Sequence, residues 1–167
     1  MAKTEENLKA AFAGESQANR KYLAFAKKAD EEGFKQVAKL FRAAAEGETR
    51  HAMNHFNVMQ GVKSTNENLQ EAINGEHYEF TTMYPDFMRQ AEKEKNTDAV
   101  ETFDEADQVE KIHHLNYSKA LESVSKGKDL EKTEYWVCQH CGNLILGNPP
   151  EVCPICQYPK SQLRKIE

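Results

Sequence analysis

Glu48-Thr49-Arg50-His51 and Glu110-Lys111-Ile112-His113 are the two stretches on which the fold turns. On a helix, residues three apart share a face one turn apart, so each stretch aligns a carboxylate with an imidazole. The two stretches are copies. Phe41/Phe103, Ala44/Ala106, Glu48/Glu110, His51/His113 and Asn54/Asn116 all match at an offset of 62. Upstream, Glu6–Glu15 reads ENLKAAFAGE and Glu67–Glu76 reads ENLQEAINGE, with six of ten positions identical at an offset of 61. A helical hairpin is therefore used twice, and two hairpins predict a four-helix bundle with pseudo-two-fold symmetry.

The apolar spacing supports four helices. The first runs over 5–32, with Thr4 as N-cap and Gly33 as stop, on a stripe of Leu8, Ala11, Phe12, Glu15, Ala18, Tyr22, Phe25 and Ala29. The second runs over 34–60 with Val37, Leu40, Phe41, Ala44, Glu48, His51, His55 and Val58, and Gly61 ends it. Ser64 with Glu67 forms a capping box for the third, whose stripe runs from Leu69 through Ile73, Glu76, Glu79, Phe80 and Met83 to Phe87. The fourth covers 97–125 with Val100, Phe103, Glu110, His113, Tyr117, Leu121 and Val124. Each stripe is core-facing by spacing, yet each carries a carboxylate at mid-helix.

A single such Glu is usually a solvated flank, and a single His on an apolar face is usually a hydrogen-bonded core residue. Here Glu15, Glu48, His51, Glu76, Glu110 and His113 recur by duplication. Unpaired, they would cost several kcal/mol each to bury, and bound cations remove that cost. One Glu from each of two helices plus Glu-x-x-His from each of the other two is a di-iron carboxylate donor set. Carboxylates bridge and neutralise two cations, imidazole adds a neutral donor, and open positions remain for an oxygen species. Glu79 breaks the symmetry: its counterpart is Ala18, so one metal position has a seventh candidate ligand. His55, His77, His114 and Asp107 read as neighbours or surface residues outside the ligand set.

After Gly127 the composition changes. All four cysteines, four of the five prolines and the single Trp fall there, which places a linker near 125–134 and a small domain from Tyr135. The expected division is 1–130 and 131–167. Cys138-x-x-Cys141 and Cys153-x-x-Cys156 use every cysteine and make two knuckles around one tetrahedral ion. Iron and zinc both fit four thiolates. A tail this short needs such a staple to fold, and disulfides are disfavoured in a chain with no export signal.

The context Tyr135-Trp136-Val137-Cys138-Gln139-His140-Cys141-Gly142, with Cys153-Pro154-Ile155-Cys156 and Pro159-Lys160, resembles rubredoxin and favours iron. Gln157 stands where the second knuckle usually carries Gly, at a position where φ is often positive. Taken in order, both domains resemble the rubrerythrin family. The resemblance implies an all-α ferritin-like four-helix bundle plus a small, β- and loop-rich rubredoxin-like metal domain. It implies two non-haem Fe ions, oxo- and carboxylate-bridged, in the bundle and one Fe on the four cysteines. Glu48 and Glu110 would bridge, Glu15 would be terminal on one iron, and Glu76 and His113 terminal on the other. Glu79 and His51 would exchange on one iron with redox state, and Tyr22 and Tyr84 would orient carboxylates.

The implied activity is peroxidase: hydrogen peroxide reduced to water in oxidative-stress defence, with electrons relayed through the rubredoxin-like iron. No nucleotide-binding glycine loop occurs in the chain, so the donor would be a separate NAD(P)H-linked reductase or a rubredoxin. The alternatives are a ferroxidase or iron-storage protein and a zinc-ribbon interaction module. A homo-oligomer is expected, a head-to-tail dimer that brings one chain's tail near another's bundle.

The connection between the second and third helices bears on that oligomer. In a ferritin-like bundle those helices run parallel, so the connection must cross about 30 Å, whereas the six residues 61–66 reach only ~20 Å extended. A domain-swapped dimer answers this; an up-down-up-down bundle with a short loop is the rival.

The 167 residues carry 22 Lys+Arg against 27 Asp+Glu, a net charge of −5, which argues against nucleic acid. No apolar run approaches the roughly 18 residues of a membrane helix, and the polar N-terminus argues for a cytoplasmic protein. Setting aside Glu15, Glu48, Glu76, Glu79 and Glu110 leaves 22 acids against 22 bases. The acidity therefore need not advertise a cationic partner.

Overall fold

The computed structural model describes residues 3–167. They divide into two compact units, the first ending at Lys63 and the second running from Ser64 to Glu167.

The first unit is a hairpin of α1 (Lys3–Glu31) and α2 (Lys35–Val58). Small side chains form its seam: Ala26, Ala29, Ala38, Ala45 and Ala52 are buried and let the two backbones approach closely. Asn19 ties the helices across that seam, with Nδ2 donating to the Ala45 carbonyl at 2.8 Å and to Thr49 Oγ1 at 2.9 Å. Gly33 turns the chain at φ +87°, a conformation that disfavours a side chain. Arg42 and Lys35 then close on Asp30 at 2.7 and 3.3 Å, and the Arg42 hydrogen bond holds the Asp30 carboxyl below its ordinary range. Because α1 already begins at Lys3, Thr4 lies inside the first turn and does not cap it.

The second unit opens with the expected capping box. Ser64 Oγ accepts from the Glu67 N–H, and the Glu67 carboxylate accepts from the Ser64 N–H. Helix α3 (Thr65–Tyr78) passes through a π-helical turn (Glu79–Met83) into α4 (Tyr84–Glu94). Lys95, at φ 58°, ends α4, and Asn96 Oδ1 caps α5 (Thr97–Val124) by accepting from the Ala99 N–H at 3.1 Å. Pro85 is tolerated because it falls in the first turn of α4.

The duplication is structural as well as sequential. In the first hairpin, the Tyr22–Phe25, Tyr22–Phe41 and Phe25–Phe41 ring centroids are 6.3, 6.1 and 5.6 Å apart. In the second, Tyr84–Phe87, Tyr84–Phe103 and Phe87–Phe103 repeat those values at 6.3, 6.2 and 5.5 Å. Tyr22/Tyr84, Phe25/Phe87 and Ala29/Ala91 match at an offset of 62, whereas Glu15/Glu76 match at 61. One residue is therefore inserted between Glu76 and Tyr84, and the π turn at Glu79–Met83 absorbs it.

The tail is a three-stranded antiparallel sheet, order β2-β1-β3, of β1 (Tyr135–Cys138), β2 (Leu144–Leu146) and β3 (Leu163–Ile166). Its core is Cys138, Cys153 and Leu163, flanked by Trp136, Ile145 and Ile155.

A second expectation also fails among the described residues. Phe25, Val37, Leu40, Val58 and Phe87, which the stripes placed on core-facing sides, are exposed, Leu40 and Val58 to 68%.

Candidate metal centres

Each helical hairpin gathers half of the expected ligand set. In the first unit, α1 presents Glu15 and α2 presents Glu48 and His51, with one donor atom from each within 4.8 Å of the others. His51 Nδ1 lies 3.0 Å from Glu48 Oε2, and the His51 side chain is 59% exposed. In the second unit, Glu76 on α3 meets Glu110 and His113 on α5 within the same limit. His113 Nδ1 lies 2.7 Å from Glu110 Oε2 and 3.7 Å from Glu76 Oε1. This cluster is half-buried throughout. Glu79 opens the π turn beside it, close enough to push the Glu76 pKa upward. The added residue thus lies where the sequence shows its symmetry-breaking carboxylate.

Burial and mutual repulsion set the protonation of the second half-site. Burial, then hydrogen bonding and repulsion from Glu110, push Glu76 up to about 7. Glu110 goes the other way: burial alone would raise it, but hydrogen bonds from His113 and Glu76 hold it below its ordinary value. The hydrogen bond to Glu110 raises His113 against the opposing effect of burial. Burial and the neighbouring charges of Glu110 and His113 leave Glu79 raised overall. Three carboxylates and one imidazole therefore share protons that a bound cation would displace.

Two tyrosines join this cluster. Burial and the charges of Glu110, Glu79 and Glu76 raise Tyr84, keeping its hydroxyl a hydrogen-bond donor. Tyr117, read in the sequence only as part of a stripe, is raised in the same way by burial, Glu76 and Glu110. Its ring centroid is 6.3 Å from that of His113. The signal that could have found it is its place one turn beyond His113, matching His55 beyond His51. Tyr22 packs with Phe25 and Phe41 in the first hairpin. His114 is half-buried and not a surface residue: its Nδ1 lies 3.2 Å from the Ile73 carbonyl oxygen, and its ring packs against His77 and Phe80. Asp107 is buried and paired with Lys111.

The four cysteines are free thiols gathered within the same 4.8 Å limit. The Cys138–Cys156 and Cys141–Cys153 sulfurs are both 3.6 Å apart. A tetrahedron with metal–sulfur bonds of about 2.3 Å has edges of about 3.8 Å, so the cage has the size of one ion. Backbone N–H groups point at the sulfurs. Burial would raise Cys153, but the N–H groups of Cys156 and Ile155 bring its thiol down to about 7. Burial pushes Cys141 and Cys156 up, against N–H groups from Asn143 and Tyr158. Asn143 Nδ2 adds a contact to Cys153 Sγ at 3.7 Å. The knuckles turn at Gly142 (φ 83°) and Gln157 (φ 59°), so Gln157 does adopt the left-handed conformation.

The tail meets its own helix α5. His140, between Cys138 and Cys141, places Nε2 at 3.3 Å from Glu105 Oε2, and its ring stacks on Tyr158 at 3.9 Å. Glu105 lies five residues before Glu110 on that helix.

A family model described as "Rubrerythrin" matches residues 6–121, and one described as "Rubrerythrin, rubredoxin-like domain" matches residues 136–164. The chain is 37% identical to the rubrerythrin of Porphyromonas gingivalis over 99% of its own length and 91% of that protein. It is 37% identical to the nigerythrin of Nitratidesulfovibrio vulgaris, covering 94% of this chain and 83% of that one. Among solved structures, the mixed-valence state of nigerythrin aligns with a TM-score of 0.57 at 36% identity, covering 99% of this chain and 88% of that one. Its fully reduced, all-ferrous state aligns at 0.58 and 35% identity, with the same coverage. The all-α ferritin-like class with a rubredoxin-like tail stands, and iron is the metal that these donor sets fit.

The raised Glu76 and His113 fix a sign for pH dependence. Glu76 binds its proton more tightly folded than unfolded, so the metal-free protein loses stability as pH rises from about 4.5 to about 7. The contribution of His113 fades in the same direction as pH rises above 6.5 toward its raised folded value. Metal-free protein should therefore melt at higher temperature at pH 5.5 than at pH 7.5, and Glu76→Gln should flatten the difference. A wild-type melting temperature that rises over this interval would contradict the assignment.

Proposed function

The chain belongs to the rubrerythrin family, and from that premise we propose that it reduces hydrogen peroxide to water, with electrons drawn through its four-cysteine iron. When bound, two ferrous ions supply the two electrons of H2O2 + 2 H+ + 2 e− → 2 H2O. Glu15, Glu48, Glu76, Glu110 and His113 are the residues that would hold them, with Glu48 and Glu110 each offering two carboxylate oxygens. Glu79 and His51 would be alternative donors: a carboxylate would offset the higher charge of a ferric ion, and a neutral imidazole would suit a ferrous one. Tyr22 and Tyr84 orient carboxylates, and the raised Tyr84 stays protonated to do so.

The observation that carries this reading is the His140–Glu105 contact at 3.3 Å. It sets the four-cysteine site against the helix that bears Glu110 and His113, a proximity that suits an electron relay and has no use in iron storage. We assign residues 1–130 to peroxide chemistry and 131–167 to the relay. The partners are hydrogen peroxide, a separate NAD(P)H-linked reductase or rubredoxin, and further copies of the chain in a homo-oligomer. The setting is cytoplasmic defence against oxidative stress. No described helix is long and apolar enough to cross a membrane.

Stopped-flow mixing of fully reduced protein with peroxide, and separately with dioxygen, tests the reading. Peroxide should reoxidise the bundle irons at least tenfold faster; equal or slower reoxidation favours ferroxidation. A second measurement follows the tail iron by its colour. In Glu105→Ala and His140→Ala, peroxide should oxidise the bundle pair at the wild-type rate while the tail iron reoxidises at least tenfold more slowly. An unchanged tail rate in both variants would remove this contact from the relay.

A further inference from the structure

We propose that the Asn143 side chain sets the reduction potential of the tail iron, by donating a hydrogen bond from its amide to the Cys153 sulfur of the opposite knuckle. The inference rests on iron at the four cysteines and not on peroxide as the substrate.

The first observation is a broken symmetry between the knuckles. Cys138-x-x-Cys141-Gly142-Asn143 and Cys153-x-x-Cys156-Gln157-Tyr158 align residue for residue. Their backbones repeat one pattern. The Cys138 N–H donates to the Asn143 carbonyl at 2.9 Å, and the Cys153 N–H to the Tyr158 carbonyl at 2.8 Å. The Gly142 and Gln157 N–H groups donate back to the Cys138 and Cys153 carbonyls at 2.9 and 3.0 Å. The Asn143 N–H points at the Cys141 sulfur as the Tyr158 N–H points at Cys156. Asn143 and Tyr158 thus close their knuckles in the same way, and their side chains then diverge. Tyr158 stays 43% exposed and stacks on His140. Asn143 turns inward, is 1% exposed, and places Nδ2 at 3.7 Å from the Cys153 sulfur.

The second observation is the other end of the same amide. Asn143 Oδ1 is buried with no hydrogen-bond partner among the described residues. An unpaired buried carbonyl opposes folding, so the donor end must return more than an ordinary amide contact does. A neutral thiol is a weak acceptor. A thiolate on iron carries charge, and hydrogen bonds to charged groups are roughly twice as strong as neutral ones. Turning the amide over would aim its oxygen at that charge. The Asn143 amide is therefore set for an anionic sulfur.

The consequence lies in the relay. On four thiolates a ferric ion leaves a net charge of −1 and a ferrous ion −2. The step Fe(III) + e− → Fe(II), with the electron supplied by the separate reductase or rubredoxin, adds one negative charge that spreads onto the sulfurs. A donor to sulfur stabilises the state with more charge, and hydrogen bonds to the sulfurs help to set such potentials. The Asn143 amide thus favours the ferrous tail iron. It acts through Cys153 and is a positioning residue of the relay.

Spectroelectrochemical titration of the iron-loaded full chain, followed by the colour of the tail iron, tests this. Asn143→Leu keeps the side chain's size and removes the donor. At the wild-type midpoint potential it should show a ferrous-to-ferric ratio at least fivefold lower, a midpoint about 41 mV lower at 59 mV per tenfold. Asn143→Asp, which sets a carboxylate beside the sulfur, should fall further, and it is judged by the same threshold if Asn143→Leu does not load iron. A role in packing alone would lower the melting temperature and leave the midpoint in place, so a shift below fivefold would overturn the proposal. The wild-type chain gives a reading that needs no variant. With cadmium-113 on the four cysteines, the Asn143 side-chain amide proton should show scalar coupling to the metal through the Cys153 sulfur, and absence of that coupling would overturn the proposal too. Peroxide turnover enters none of these readouts, so the peroxidase reading can fail while this one stands.

Discussion

Carboxylates on helix faces that must pack are the constraint from which the rest of this protein follows. Glu15, Glu48, Glu76 and Glu110 sit on otherwise mostly apolar stripes, and none of them can be buried as an isolated charge. In the second half-site the metal-free protein meets the problem by holding protons, which is why Glu76 is pushed up to about 7 while Glu110 is held down by its partners. Cations meet it better, because they convert repulsion among carboxylates into coordination. The acidic balance of the whole chain then reads as the charge of a metal site.

The asymmetry between the hairpins has a single local origin. One inserted residue, absorbed as a π turn over Glu79–Met83, accompanies a carboxylate that the first hairpin lacks. An otherwise symmetric pair of half-sites therefore carries different carboxylate donors. The tail uses repetition as well: its two knuckles turn at equivalent positions, with Gln157 taking the left-handed conformation that Gly142 takes without strain.

Much of this was legible in the sequence because duplication writes each element twice. Gly33 as a stop, Ser64 with Glu67 as a cap, the ligand spacing and the four-cysteine cage all depend on neighbours within a few residues, and local rules reach that far. The π turn was hidden because one added residue leaves apolar spacing almost intact; the shift of the repeat offset from 61 to 62 was its only trace. Thr4 failed as a cap because α1 begins before it. The pairing of His140 with Glu105 joins residues 35 positions apart, which no local pattern reports. Leu40 and Val58 are exposed although they lie on an apolar stripe: spacing marks a face as apolar but does not report what packs on it.

A pair of irons on the duplicated carboxylates and imidazoles would differ in coordination from the tail iron. Mössbauer spectroscopy of protein reconstituted anaerobically with ferrous iron, together with metal analysis, tests it most directly. About three irons per chain are expected, one with the low isomer shift of a four-thiolate site and two with the higher shifts of oxygen and nitrogen ligation. Glu48→Ala should remove the second class and spare the first. One iron per chain, in thiolate coordination alone, would rule out a di-iron bundle.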